Sequence, residues 1–267
     1  WAEQTALLEK QQQGILRRQQ LGDAARLESV QGAGALAQAQ AQAGQARVRQ
    51  QIAAEEIRRR YPLLPLLEPA ELSEPPALNG DLNIRTQAIL EHSHELAIAR
   101  GELQRARLVA SRQQAERLPD PTFGLQTSRE RGGEGEERTF GAYLSIPLPG
   151  EGRRAQSDVS QAQAAAAERR AAATELRIYN EAASLYHSAS AARAVWQASD
   201  LAAGQLEEVA RMTARAYQLG EGSLTDLLAA RRLANESRLT ARLQQLEALE
   251  LYDRLRLDAH QLWDIDD

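Results

Sequence analysis

The chain has 267 residues, 32 Lys+Arg against 37 Asp+Glu, a net charge of −5 and no cysteine. The acidic balance argues against nucleic acid as the main partner, and the lack of cysteine excludes disulfides and thiolate metal sites. With 43% hydrophobic but only 4% aromatic residues, and Ala, Leu, Gln, Arg and Glu dominant, the composition suits long helices packed through small side chains.

No apolar run reaches the roughly 18 residues of a transmembrane helix, and Trp1-Ala-Glu-Gln does not read as a signal peptide. A membrane role through helices is therefore excluded, while one through β-strands, whose hydropathy signal is weak, stays open.

Residues 1–60 read as two helices broken at Gly22, the second carrying Leu27, Val30, Leu36 and Val48 among many Ala and Gln. Residues 61–80 form a Pro-rich extended linker, since each Pro disfavours helix for itself and for its predecessor. A helix is expected over 81–118, with Asn79, Asp81 or Asn83 as N-cap and Pro119-Asp-Pro121 as its stop.

Residues 119–150 hold the β-like region. Thr122–Ser128 alternates, placing Phe123 and Leu125 on one face. Thr139–Pro147 alternates too, placing Phe140, Ala142, Leu144 and Ile146 on one face. The charged, Gly-rich stretch 129–138 between them reads as a solvated hairpin loop. Strands of 8–10 residues with apolar and small-polar faces suit either a soluble β-extension or transmembrane barrel strands, and two strands alone cannot close a barrel.

Residues 151–267 read as a long helix, a turn and a return helix ending near Trp263. From Arg153 to Leu219 there is no Pro and one Gly, so a helix of about 100 Å is expected, which must lie along partners for most of its length. The turn, Tyr217-Gln-Leu-Gly220-Glu-Gly-Ser223-Leu-Thr-Asp226, has an imperfect copy 198 residues earlier in Gln20-Leu21-Gly22 and Glu28. In both, an acid lies six positions after the Gly. The chain thus reads as the tail of one repeat followed by a whole second one. Ser223 is the expected N-cap and Asp226 its N3 acid. Asp226 and Glu28 are either helix caps or a ring of negative charge where helix tips meet around a pore. Tyr217 is either packing at a helix end or a gate.

His92-Ser93-His94 fails as a metal pair on a continuous helix, where positions i and i+2 point about 200° apart. His187 and His260 have no ligand partners near them in sequence. Glu134, Glu136 and Glu137 read as a solubilising loop rather than a cation site. No nucleophile motif, phosphate loop or paired-carboxylate signature is present, so neither an enzyme nor a cofactor or metal site is expected.

The order of helix, Pro-bounded hairpin, very long helix, Gly turn and return helix in a duplicated chain resembles the TolC family of outer-membrane efflux channels. The resemblance rests on the two tips, on Leu118-Pro119-Asp-Pro121 and Ser145-Ile-Pro147-Leu-Pro149 around the strands, and on Arg58-Arg-Arg-Tyr61-Pro before the linker. The Pro-Asp-Pro and Ile-Pro-Leu-Pro signatures are most similar to the branch serving heavy-metal and other resistance-nodulation pumps.

The resemblance implies a mainly α fold, in which long antiparallel coiled-coil helices form an α-helical barrel and the hairpin contributes to a membrane β-barrel. It implies a homotrimer in the outer membrane and periplasm of a Gram-negative bacterium, acting as the passive exit duct of a tripartite efflux pump. The partners would be a periplasmic membrane-fusion adaptor, an inner-membrane pump and outer-membrane lipid. Leu21, Gly22, Leu219, Gly220 and Ser223 would be adaptor-docking tips. Asp226, Glu28 and Tyr217 would form the constriction or gate, and Phe123, Leu125, Phe140, Leu144 and Ile146 would face lipid. Gly222 stands where the family can place a gate Arg and Ala229 where a second acid can occur, so a complete Tyr–Arg–Asp latch is not expected. A full member supplies four strands, and this chain reads as one lacking most of its first repeat, with a further hairpin expected about 198 residues before Thr122. The alternative is a periplasmic coiled-coil adaptor or scaffold without a pore, although the lipoyl-like and additional β-domains of adaptors are not found.

Overall fold

A computed structural model describes residues 1–22, 25–65, 71–78, 80–118, 120–132, 135–148 and 150–262, with only the backbone at 131, 132, 135 and 136. The expectations placed on Asn79, Pro119, Glu134, Pro149, Trp263 and the Glu136 side chain lie outside the described residues. The elements in chain order are helices α1 (Ala2–Gln20), α2 (Arg26–Arg60), α3 (Leu82–His92) and α4 (His94–Ala115), strands β1 (Thr122–Gly132) and β2 (Gly135–Ser145), and helices α5 (Glu151–Gln218) and α6 (Leu224–Asp258). Two compact units arise: Trp1–Asn79 with His187–Arg254, and Gly80–Tyr186 with Leu255–Asp267.

In the first unit the packing follows a seven-residue interval. Leu8 and Ile15 are buried on α1, Gly32 and Ala39 on α2, Ala189, Trp196 and Ala203 on α5, and Leu227, Ala234, Ala241 and Ala248 on α6. Such spacing is the coiled-coil seam, and Ala at the seam lets helix axes approach closely. The period is hidden in the sequence, because Leu and Ala also fill exposed positions; Leu233, Leu239, Leu243 and Leu246 are all exposed. Where the seam needs bulk, Trp196 fills it against Ala192, Ala248 and Leu251. At Gly32 an added Cβ would lie 2.1 Å from Gln12 Oε1, so the glycine makes room for the close approach of α1 and α2.

The extended segment 71–78 has no ladder partner for its carbonyls, and the helices supply donors. Gln245, itself buried, donates to the carbonyls of Ser73 at 2.9 Å and Leu72 at 3.2 Å, and Arg193 donates to that of Pro75 at 3.1 Å. Pro75 is fully buried. Segment 71–78 is thus docked onto α5 and α6.

In the second unit, Arg100–Glu175 (3.3 Å), Arg107–Glu168 (2.7 Å) and Glu95–Arg177 bridge α4 to α5 in antiparallel order. The Arg177 guanidinium is held above its ordinary pKa chiefly by its hydrogen bond to Glu95 and then by that to Glu181. The single helix expected over 81–118 is in fact two. Asp81 caps α3 by accepting from the Leu82 amide at 2.8 Å, but at Ser93 the backbone turns extended (φ −71, ψ 108). The Ser93 hydroxyl accepts from the Leu96 amide at 3.2 Å and starts α4. A serine followed by His-Glu-Leu is a good N-cap, and here capping wins over continuation.

The break overturns the premise that His92 and His94 point apart. Both rings pack against His260, with centroids 5.0 and 5.3 Å away. His260 terminates α6 in the left-handed region (φ 52). The Gln261 amide bonds to the Arg256 carbonyl at 2.8 Å and the His260 amide to that of Leu257 at 3.0 Å, a turn that usually carries glycine.

The hairpin is longer than expected. Thr122 pairs with Ser145, and the ladder continues antiparallel through Arg129–Arg138 and Glu130–Glu137 to Gly132–Gly135, so most of the expected loop is strand. The register sets Phe123 opposite Leu144, Leu125 opposite Ala142 and Thr127 opposite Phe140, which gathers the apolar residues of both strands on one face. On the other face the Tyr143 ring lies across Gly124, where a Cβ would come within 2.3 Å of it.

Candidate functional site

The two tips are built alike. α1 ends at Gln20 and α5 at Gln218; Leu21 and Leu219 follow; Gly22 and Gly220 then take φ of +83 and +78. The Gly22 amide bonds to the Gln19 carbonyl and the Gly220 amide to that of Tyr217, both at 3.1 Å, and the Glu221 amide reaches the Ala216 carbonyl at 2.9 Å. These bonds satisfy the last helical carbonyls, and only Gly adopts the required conformation without strain. Leu21 and Leu219 stand 77% and 67% exposed. Gly222 folds back on α5, where a Cβ would lie 3.2 Å from the Tyr217 nitrogen.

The acids also occupy equivalent places, each being the third residue of its helix, yet their surroundings differ. Ser223 caps α6: its hydroxyl accepts from the Asp226 amide at 3.1 Å and donates to the Asp226 carboxylate at 2.7 Å. The equivalent cap of α2 is Ala25, which has no side-chain oxygen, and no side-chain cap bond forms. Glu28 therefore turns elsewhere. It pairs with Arg18 at 3.3 Å and accepts the Tyr217 hydroxyl proton at 3.0 Å.

Arg18 closes the triangle by donating to the Tyr217 oxygen, and its guanidinium carbon sits 5.0 Å from the Tyr217 ring centroid. Beneath lies an apolar plug of Ile15, Leu224 and Leu227, with Ala214, Tyr217 and Leu228 against it. Burial, followed by the bond to Glu28, raises the Tyr217 pKa against the opposing pull of Arg18. The phenol therefore stays a neutral donor at physiological pH.

Of the expected gate residues, Glu28 and Tyr217 come together and Asp226 is held apart by Ser223. Arg18 was missed. The signal lay in a comparison of the two copies: 198 residues on from Arg18 stands Ala216, and Gln19 in turn answers to Tyr217. Each repeat supplies one half of the contact. Arg18, on α1, is thus the cation that meets the Tyr217 ring on α5.

The apolar hairpin residues Phe123, Leu125, Phe140 and Leu144, with Ile146 just beyond, are 62–79% exposed. Among the described residues no helix is long and apolar enough to cross a membrane, and no group of three or more His, Cys, Asp or Glu is arranged to hold a metal ion.

No curated protein matches the chain in sequence. Among solved structures, the chain is similar to the outer membrane protein VceC of Vibrio cholerae, with a TM-score of 0.69 at 18% identity, covering 97% of this chain and 64% of that one. A membrane protein from Pseudomonas aeruginosa gives a TM-score of 0.68 at 17% identity, covering 97% and 62%. The CmeC outer membrane channel of Campylobacter jejuni gives 0.64 at 13%, covering 97% and 58%. The likeness is one of fold, and the chain spans about three-fifths of the length of these neighbours. The family model for outer membrane efflux proteins matches residues 86–257. With that match over well more than half of its residues, the chain belongs to the outer membrane efflux protein family.

Proposed function

We propose that this chain is part of an outer-membrane exit duct for efflux, a passive channel whose helical tips form an adjustable constriction. The observation that carries the reading is the contact of Arg18 and Glu28 in one repeat with Tyr217 in the other, set where two equivalent glycine turns end their helices. Such a contact ties neighbouring tips at modest cost and can be released by a small displacement. The exposed Leu21 and Leu219, on tips that glycine frees to turn, suit an apolar partner such as a periplasmic adaptor. Asp226 lines the constriction as a fixed charge, while Glu28 belongs to the tie.

Three protomers would supply what one chain leaves uncovered. α2 buries only Gly32 and Ala39 and leaves Leu27, Val30, Val48, Ile52 and Ile57 exposed. The one-sided hairpin fits lipid on its apolar face. A duct of this kind performs no chemistry, and energy comes from an inner-membrane pump. The test is single-channel recording of the full-length protein in planar bilayers. Glu28→Ala with Asp226→Ala should raise conductance or change cation block. Conductance and selectivity equal to wild type would leave Asp226 as part of a helix cap and Glu28 as part of a packing contact, with no constriction at either.

A further inference from the structure

Next to the plug of Ile15, Leu224 and Leu227, helices α1, α5 and α6 of the first unit enclose a cleft of about 310 Å³. Its apolar walls are Leu7 and Leu8 of α1 and Ala210 and Ala214 of α5, and Ala214 touches the plug as well. Alanine at these places leaves the gap. Close-packed interiors keep few voids larger than a water molecule, and a cleft of roughly 300 Å³ is already the size of a small-molecule site.

The polar groups of the cleft are mismatched. Arg231 of α6 lines it half-buried, and among the described residues its hydrogen-bond partner is the neutral Gln11. Burial alone draws its pKa below the ordinary value, with no carboxylate to offset it. A guanidinium has five N–H donors, and donors left unmet away from water are costly. Gln11 Nε2 is buried without an acceptor too, so donors outnumber acceptors around the Arg231 head. The neighbouring carboxylates are engaged elsewhere: Glu207 pairs with Arg238 at 2.7 Å, Glu208 with Arg211, and Glu236 faces Arg232 at 3.9 Å. Glu3 is exposed at the rim. Gln4 Oε1 has the opposite need, being buried in the same cleft without a donor among the described residues.

We propose that this cleft binds a small organic anion, a carboxylate on an apolar body that also carries an N–H or hydroxyl donor. The carboxylate takes the spare N–H groups of Arg231, whose planar fork matches it bidentately. The apolar body lies against the leucine and alanine walls, and the donor meets Gln4 Oε1. One molecule thus answers both mismatches. Arg231 and Gln4 also line a crevice of about 240 Å³ on the α2 side of α1, whereas Ala210 belongs to the α5 side, so Ala210 tells the two apart.

The site stands independently of the channel reading, because binding rather than conductance reports it. The probe is indoleacetate, which joins a carboxylate and an N–H to an aromatic body, titrated by calorimetry into the full-length protein held in amphipol. One molecule per chain should bind, and the neutral indoleacetamide should bind about tenfold or more weaker. Arg231→Met with Gln11→Leu removes both partners of their polar contact and should weaken indoleacetate by about tenfold or more. Ala210→Leu should do the same with the charge intact, by filling the cleft, and Gln4→Leu should cost about threefold or more. Circular-dichroism melts check that each variant is folded. Arg169→Met, at an exposed position of the second unit, should bind as wild type does. No saturable binding by wild type below about 1 mM, or equal binding of acid and amide, would overturn the proposal. So would binding within twofold of wild type by any of the three cleft variants; if Ala210→Leu alone retained it, the anion would sit in the α2-side crevice instead.

Discussion

Tyr217→Phe removes one oxygen from the tip and leaves the ring above Arg18, so it isolates the hydroxyl. That hydroxyl donates to Glu28 at 3.0 Å and accepts from Arg18. A fully buried hydrogen bond to a charged group contributes about 1.5–3 kcal/mol. Here Arg18 is 41% and Glu28 31% exposed, so solvent screens the charges toward the roughly 0.2–1 kcal/mol of surface pairs. A loss of about 1 kcal/mol is expected, equivalent to a fall of about 2–4 °C in Tm for a chain of this size.

The assay is a double-mutant cycle of Tyr217→Phe with Glu28→Gln, read by thermal unfolding under circular dichroism. Because the two groups share one bond, the double variant should lose little more than either single one, with a coupling of about 0.5–1 kcal/mol. Losses that add to within about 0.3 kcal/mol would show that no such bond exists and would refute the tie between the repeats. The alkaline limb gives an independent reading. Tyr217 is raised above its ordinary pKa of 10.0 in the folded state. Its contribution is therefore fully present below pH 10 and lost as pH rises through the folded value, because the unfolded chain releases the proton first. Tyr217→Phe should flatten that part of the stability curve.

Gly220→Ala should destabilise by about 1 kcal/mol, since φ +78 strains any side chain even in open space; Gly204→Ala, in the middle of α5 with nothing within 4 Å, should stabilise by about 0.5–1 kcal/mol. Paired thermal melts check both. Ser223→Ala should cost about 0.5–2 kcal/mol as a lost cap, whereas Ala25→Ser should draw Glu28 away from Tyr217 and reproduce part of the Tyr217→Phe phenotype. Gln245→Leu should leave the Leu72 and Ser73 carbonyls without their donor and cost about 1–3 kcal/mol, visible as faster proteolysis within 71–78. Arg231 is half-buried, its pKa lowered by that burial, and it bonds to Gln11; Arg231→Met together with Gln11→Leu should be neutral or stabilising, since both partners of a partly buried polar contact are replaced at once.

Local chemistry wrote much of this architecture into the sequence. Proline and glycine punctuate it, alternation marks the two strands, and an acid at the third helical position follows a glycine turn twice. Those signals act within a few residues, which is why helix existence, the hairpin and the equivalence of the tips were legible. Ser93 shows the limit even of local reading. Its break competes with helix continuation, and the capping bond to the Leu96 amide decides in its favour.

What the chain alone determined is a repeated scaffold of long helices with one amphipathic hairpin, because periodicity and turn residues are properties of neighbours in sequence. The tertiary structure decided which of the chemically similar groups meet. It chose Glu28 over Asp226 for the tie, because Ser223 occupies the one and Ala25 cannot occupy the other. It supplied Arg18 from the opposite repeat, selected an Ala seam of seven-residue spacing from many candidate apolar positions, and brought His260 to His92 and His94 across 165 intervening residues. Such choices depend on distances between remote segments, which packing sets and no local pattern encodes.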